Sequence, residues 1–141
     1  ALSSAASDVY KRQEEKYIYE CRKGLVGKSD KLVFKFSNAP FRCFALFDRE
    51  QQPPVVTAPA QVAKGARALL KISGPANPRE RAYRITVTAP DGREILHRSK
   101  TIYGKTEYPL DFAFNDLPGA YRITIEDAAT GLNTQHEIEV K

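Results

Sequence analysis

Methionine and tryptophan are absent from the 141-residue chain, and cysteine and histidine occur only twice each. His97 and His136 stand alone on separate predicted strands, and no Cys-x-x-Cys or His-Glu-x-x-His motif accompanies them. The usual ligand spacing of a transition-metal site is therefore missing, and both histidines are predicted to be structural or surface residues. No apolar run reaches the roughly 20 residues that a membrane-spanning helix needs, so no membrane span is predicted.

Motifs of catalysis are missing as well. The chain has neither a Gly-x-Ser-x-Gly elbow nor a glycine-rich phosphate loop, which are signatures of hydrolase nucleophiles and of phosphate binding. Carboxylates are numerous, but glycosidase acids must converge in a cleft, which spacing alone does not show. We expect Glu126/Asp127 and Glu137/Glu139 to face solvent, the latter two across from Arg122. The sequence thus predicts neither an enzyme nor a cofactor.

The composition allows a packed domain, since 42% of the residues are hydrophobic and 28% are charged. The formal net charge is +5, which raises the question of nucleic-acid binding. The basic residues are spread among acidic ones, without exposed aromatic residues between them, so a solvated sheet face is predicted and no nucleic-acid partner. The basic residues considered are Arg81, Arg84, Arg93, Arg98, Lys100 and Arg122.

The N-terminal end is set apart from the rest of the chain. Residues 3–13 resemble the translation of a transposon adaptor used to prepare sequencing libraries, position by position. Such a segment is excluded from fold reasoning. Whether it is an adaptor or a Ser/Ala-rich tail, residues 1–13 are predicted to be disordered. Because the chain also begins without Met, we expect a fragment of a longer protein.

In residues 14–53, alternating side chains predict short strands at 17–21 and 32–36, and a run that is apolar on both faces predicts a third, covered strand at 41–47. Glycines and polar residues between 24 and 30 predict the first turn. Three such strands form a short β-meander, interpreted as the C-terminal piece of a truncated preceding β-domain. Its outward apolar residues need a covering surface, and the upstream domain of the same polypeptide is the expected partner.

Cys21 and Cys43 would form a disulfide only if their strands were neighbours, because a bridge needs Cα atoms within about 7 Å. A meander places the middle strand between them, at nearly twice the roughly 4.8 Å spacing of strands. Two buried thiols are therefore favoured over a disulfide, which stays open for an exported protein.

Residues 48–54 are polar and end in two prolines, which indicates a linker. From residue 54 to 141, about seven short strands separated by turns predict an immunoglobulin-like antiparallel β-sandwich. The first strand is expected to be interrupted at Pro59, and a hairpin turn at residues 90–92 is expected to lead into a return strand at 94–101. Tyr121 is expected to return its hydroxyl to nearby backbone as a tyrosine corner, and Ile123→Asp is expected to unfold the module. The alternation predicts a core of Val62, Leu70, Ile72, Tyr83, Ile85, Val87, Leu110, Phe112, Phe114, Tyr121, Ile123, Ile125, Ile138 and Val140.

Two turn-and-strand motifs, at residues 87–94 and 117–123, resemble the sandwich domains of bacterial macroglobulin-type and related exported multidomain proteins. Residues 126–131 resemble the ending of C-terminal sandwich domains on large bacterial glycoside-hydrolase-like proteins. In those a preceding β-rich piece carries an Arg-x-Gly-x-x-Gly turn, which Arg22, Gly24 and Gly27 match. The resemblance covers residues 17–140 and implies an immunoglobulin-like fold and an exported, periplasmic or extracellular, parent protein.

These observations predict a non-catalytic accessory or spacer module at the C-terminus of a larger exported protein. The alternative is a carbohydrate-binding module, because sugar C–H faces pack on aromatic rings. Tyr103 and Tyr108 flank Gly104 and Lys105 in a predicted loop, where both rings could be displayed together. An exposed pair of coplanar tyrosines beside a groove would favour this alternative.

Overall fold

The computed structural model describes residues 7–35, 41–74 and 80–141, with the backbone alone for residues 7–13 and 35. Strand accounts for 58% of the chain and helix for 1%, which confirms the predicted all-β, antiparallel sandwich. The strands are β1 (Ser7–Glu20), β2 (Gly24–Lys35), β3 (Phe44–Phe47), β4 (Val55–Thr57), β5 (Gln61–Val62), β6 (Arg67–Ser73), β7 (Ala82–Thr88), β8 (Lys100–Tyr103), β9 (Glu107–Asp111), β10 (Gly119–Asp127) and β11 (Asn133–Val140).

Two compact units divide the chain. The N-terminal unit contains Ala1–Gln51 and Ala129–Gly131, and the sandwich unit contains Gln52–Ala128 and Leu132–Lys141. The first unit therefore holds β1 to β3, and the second holds β4 to β11.

The three strands of the N-terminal unit do not form a meander. Their order in the sheet is β2-β1-β3, with β1 in the centre, whereas the sequence predicted the second strand there. Alternation predicts which segments are strands, but it does not predict which strands are neighbours. Tyr19 holds β3 beside β1, because its buried ring makes an edge contact with Phe47 at 5.7 Å. Its hydroxyl also accepts a 2.9 Å hydrogen bond from the Gln51 amide.

The hairpin between β1 and β2 turns earlier than predicted, at residues 21–23 rather than within 24–30. The Lys23 amide closes this turn with a 2.9 Å hydrogen bond to the carbonyl of the last residue of β1. Arg22 has a φ of 63° and Gly24 a φ of 115°, so both leave the extended region to reverse the chain. Gly27, the second glycine of the Arg-x-Gly-x-x-Gly pattern, lies beside a β-bulge in β2.

Residues 7–13 differ from the prediction of disorder. Their backbone continues β1 and pairs with β2, from Ser7↔Lys35 to Lys11↔Lys31. Val9 and Tyr10 favour extended backbone, because β-branched and aromatic side chains suit a pleated strand. Residues 1–6 lie outside the described residues.

The sandwich unit is built of two sheets that share one core. The five-stranded sheet has the order β5-β11-β10-β7-β8, and the three-stranded sheet has the order β4-β6-β9. Neighbouring strands are antiparallel except β5, which runs parallel to β11. The interruption predicted at Pro59 falls between β4 and β5, which belong to different sheets. Proline, which lacks an amide hydrogen, lies where the chain leaves one ladder for the other.

Twelve of the fourteen predicted core residues are buried, each no more than 3% exposed, and Val62 is half-buried against them. Alternation produces this core, since successive side chains of a strand point to opposite faces. Along β6, for example, Ala68, Leu70 and Ile72 are buried while the residues between them are exposed. Ile102 of β8 and Tyr108 of β9 also belong to this core, although the sequence predicted a loop at Tyr108.

Phe114 is the exception, with 82% of its surface exposed. Strand β9 ends at Asp111, and the chain turns where the Ala113 amide donates to the Asp116 carboxylate at 2.7 Å. The alternation of β9 therefore does not reach Phe114. Its ring lies against Gly65, which has a φ of 80°, and a Cβ at that glycine would collide with the ring.

The predicted return strand at residues 94–101 is shorter in the structure and starts at Lys100. The expected turn before it is formed, with the Gly92 amide donating to the carbonyl three residues earlier at 2.9 Å. Beyond a single bridge at Glu94, the chain coils into a turn in which the amide of Ser99 donates to Ile95 at 3.0 Å. The Ser99 hydroxyl also accepts the Val87 amide at 3.0 Å, so a side chain replaces the ladder partner.

Tyr121 forms the predicted corner. Its hydroxyl donates to the carbonyl of Leu117 at 3.0 Å, and its ring contacts Phe112 edge-on at 5.1 Å. The side chain is 1% exposed, and burial raises the pKa of its phenol. The corner fixes the chain where it enters β10.

Candidate functional site

The two tyrosines proposed for carbohydrate binding lie in different environments. Tyr103 ends β8 and is 70% exposed, whereas Tyr108 lies in β9 and is 9% exposed. The Tyr108 hydroxyl donates to the carbonyl of Arg98 at 2.9 Å, and burial raises its pKa. The alternation of β9 turns Tyr108 into the core, so Tyr103 and Tyr108 do not share an exposed platform.

A groove of about 300 Å³ lies where the turn at residues 93–99 approaches β9. Its polar side chains come from both elements, and the principal ones are His97, Arg98, Lys100, Tyr108 and Asp111. A neighbouring cavity of about 370 Å³ lies against the same turn and Asp116. These two concavities are the candidate site of the sandwich unit, because concave surfaces with convergent polar groups are where ligands bind.

Arg98 is the central charge of this site. Its Nη2 lies 2.7 Å from Asp116 Oδ2, with the two side chains 11% and 16% exposed. The guanidinium also lies 5.6 Å from the centre of the Phe112 ring. Its Nη1 is buried and has no hydrogen-bond partner among the described residues. Arg98 therefore joins the turn to the loop after β9 through an ion pair and a cation–π contact.

The other titratable side chains near Arg98 lie in separate environments. His97 is exposed on the turn, and Asp111 is engaged by Arg67, whose guanidinium lowers the pKa of that carboxyl. Within the described residues no group of three or more His, Cys, Asp or Glu side chains is placed to hold a metal ion. The second histidine, His136, is half-buried on β11 opposite Ile123. The groove can accept a polar or anionic group beside Arg98 and Lys100.

The acidic pairs divide between surface and interior. Glu137 lies opposite Arg122 as expected, with Arg122 Nε 3.8 Å from Glu137 Oε1 and both side chains more than half exposed. The expectation that Asp127 faces solvent is wrong, since it is 6% exposed and lies 3.1 Å from Arg81 Nη1. Asp127 ends β10 on the inward side of the alternation, and Arg81 supplies the charge that a buried carboxylate requires.

The basic residues are largely taken up by acidic neighbours. Arg81 and Arg98 lie in the buried and part-buried ion pairs described above, and Arg93 lies 3.8 Å from Asp91. Paired cations add little to a positive surface patch, because their fields are locally cancelled. The expectation of a solvated face is wrong for Arg81 and Arg98, which are buried and half-buried, whereas Arg93 is exposed.

The prediction that a third strand separates Cys21 from Cys43 is wrong. Because β3 lies next to β1, Cys21 and Cys43 are neighbours across the ladder, with their sulphur atoms 3.3 Å apart. They are not buried: Cys43 is exposed and Cys21 half-buried. No local pattern in 17–21 or 43–47 could have paired them, because strand neighbours depend on distant contacts.

Within the described part of the chain, no helix is long and apolar enough to cross a membrane. No protein-family model matches the sequence, and no curated protein matches it.

Proposed function

We propose that the chain is a non-catalytic accessory region of a larger exported bacterial protein, in which the sandwich unit acts as a spacer. The observation that carries the proposal is where the chain enters and leaves this unit. The Pro54 carbonyl accepts a hydrogen bond from Thr134 at the start of β11, and the chain leaves after Val140 at the end of the same strand. The six residue steps from Thr134 to Val140 span about 20 Å, so entry and exit lie at opposite ends of the unit.

Opposite ends suit a spacer, because such a unit carries the chain away from the upstream domain by its own length. A self-contained core also suits this role. Large, fully buried side chains of this unit, among them Tyr121, Leu70 and Ile85, come from β10, β6 and β7, and Phe112 follows directly after β9. Such a unit has its own hydrophobic core and needs no other part of the chain to fill it.

The immunoglobulin-like character of the unit is part of the proposal. Two observations support it: the strand order and the corner at Tyr121. The sheet β4-β6-β9 follows the order A-B-E of an immunoglobulin sandwich, and β11-β10-β7-β8 follows the order G-F-C-C′. Tyr121 opens the strand that corresponds to F, where the tyrosine corner of such domains lies.

The upstream domain of the same polypeptide is the partner we propose for the N-terminal unit. Leu25, Val26, Val33 and Phe41 are each at least half exposed, and large apolar side chains in water are candidates for burial against a partner. Expression together with the upstream coding sequence should lower the fluorescence of a dye that binds apolar surface. Fluorescence that is unchanged, per mole of chain, would remove this part of the proposal.

Expression of residues 52–141 alone tests the spacer. We expect a cooperative thermal transition and no retardation in gels that contain soluble polysaccharides. Retardation would favour the alternative, a carbohydrate-binding module, if Tyr103→Ala abolished it and Leu96→Ala did not. Leu96 is the matched control, because it is 76% exposed and apolar without an aromatic ring. Failure of residues 52–141 to fold would overturn the proposal of an independent module.

A further inference from the structure

The sheet order of the N-terminal unit brings its two cysteines face to face. Glu20 lies opposite Phe44 in the ladder of β1 and β3, and the next pair along is Cys21 and Cys43. The amide of Cys21 donates to the carbonyl of Cys43 at 2.9 Å. Directly opposed residues of a hydrogen-bonded antiparallel pair have Cα atoms about 5.5 Å apart. That separation lies inside the range of about 4.4–6.8 Å that disulfides span.

The side chains are also placed for a bond. Directly opposed residues point to the same face of a sheet, and the two sulphur atoms are 3.3 Å apart. A disulfide bond is about 2.05 Å long, so side-chain rotation must close only about 1.3 Å. Cys43 is exposed and Cys21 half-buried, so a small oxidant in solution reaches the pair.

A salt bridge holds the strands in register beside the thiols. Arg42 Nη2 lies 2.5 Å from Glu20 Oε2, and the guanidinium lies 5.2 Å from the centre of the Phe44 ring. Because side chains alternate along each strand, these three residues lie on the opposite face from the cysteines. The ladder is therefore held at this point before any covalent bond forms.

We propose that Cys21 and Cys43 form a reversible disulfide that fastens β1 to β3 when the protein meets a small-molecule disulfide such as oxidised glutathione. The Cys43 thiolate attacks one sulphur of the oxidant and expels one glutathione thiolate. The Cys21 thiolate then attacks Cys43 Sγ and expels the second. The two protein thiols lose two electrons, their two protons pass to the two expelled thiolates, and the oxidant is reduced to two thiols.

The bond would close a loop between residues 22 positions apart in the chain, which includes the turn and all of β2. Cross-linking two distant residues restricts the unfolded chain more than the folded one. Folding should therefore favour the disulfide. The proposal rests on the sheet geometry and is independent of the spacer function, although an exported location would supply oxidising conditions.

Equilibration of the full chain with defined ratios of reduced and oxidised glutathione tests the proposal. We expect a monomer about 2 Da lighter, no titratable thiol after denaturation, and a peptide pair linked through the two cysteines. The equilibrium constant for closure should be about 100-fold larger in native buffer than in concentrated urea. A reductant should restore both thiols.

The matched control keeps two thiols in the chain but shifts one along the strand. In the double variant Cys43→Ser/Ala45→Cys the second thiol lies diagonally from Cys21, at about 7–8 Å, and closure should fall at least about tenfold. Two thiols retained by the unmodified chain in oxidising buffer, mixed adducts with glutathione alone, or disulfide-linked dimers would each overturn the proposal. Equal closure constants in native buffer and in urea would overturn it as well.

Discussion

Removal of either charge from the Arg81–Asp127 pair should be among the most damaging single substitutions in the sandwich unit. The two side chains are each 8% exposed, and their charged atoms are 3.1 Å apart. Asp127→Asn removes the carboxylate that lies 3.1 Å from the buried guanidinium, and Arg81→Met removes the guanidinium beside the buried carboxylate. In both variants the loss consists mainly of the desolvation of the remaining charge.

The magnitude follows from burial. Removing one partner of a buried pair costs about 3–5 kcal/mol, which is a large part of the roughly 5–15 kcal/mol that stabilises a typical domain. For a unit of this size each kcal/mol lowers the melting temperature by about 4–8 °C. We therefore expect each single variant to melt at least about 12 °C below the parent chain. The double variant Arg81→Met/Asp127→Asn should recover most of the loss, because it removes both charges of the pair.

Urea unfolding of the four proteins, followed by circular dichroism, provides the double-mutant cycle. The exposed pair Arg122 and Glu137 is the matched control, with side chains 57% and 64% exposed, and its cycle should give about 0–1 kcal/mol. Losses below about 1 kcal/mol in both buried-pair variants would refute the reasoning, since they would mean that water screens Arg81 and Asp127. A double variant as unstable as either single one would refute the account of the loss as uncompensated charge.

Three further predictions concern acid, the core and the corner. The N-terminal unit should lose stability as the pH falls from 4.5 to about 2. Arg42, and then Lys23, lower the pKa of Glu20 from 4.5 to about 2, so the ionised carboxylate stabilises the fold above that range and is lost within it. Glu20→Gln should therefore flatten the dependence of the melting temperature on pH in this range. Ile123→Asp should abolish the cooperative transition, whereas Phe114→Ser should change stability by less than about 0.5 kcal/mol. Tyr121→Phe should cost about 1 kcal/mol in urea unfolding, and no measurable loss would show that the corner hydrogen bond is replaced by water.

The strands of the sandwich unit could be predicted because one face of each is buried. Apolar residues occupy every second position of these strands, and Leu70, Ile85 and Ile123, one from each of three strands, are fully buried. Turn chemistry added the hairpin at Gly92 and the corner at Tyr121. Both features depend on residues close in sequence, so one amino-acid sequence is enough to predict them.

Features that depend on distant pairing were not predicted. The position of β3 beside β1 depends on contacts such as that of Tyr19 with Phe47, and alternation says nothing about neighbours. Asp127 was expected to face solvent beside a hairpin, and the carbohydrate-binding alternative placed Tyr108 in a loop, but the strand register places both inside. Their partners, Arg81 and the Arg98 carbonyl, become visible only when the sheets are assembled.

Two neighbouring pairs at the end of β1 respond to different conditions: the ion pair of Glu20 and Arg42 responds to pH, and the thiols of Cys21 and Cys43 respond to oxidation. Glu20 with Arg42 lies on one face, and Cys21 with Cys43 lies on the other, yet both join β1 to the residues that lead into and form β3. Protonation weakens the ionic pair without changing the thiols, and oxidation joins the sulphur atoms without changing the ion pair. Since both act on the same backbone, a disulfide should hold in place the strands that acid would otherwise release. Acid and reduction should therefore both weaken the attachment of β3 to β1 in the N-terminal unit, whereas the stability of the sandwich unit comes mainly from its apolar core.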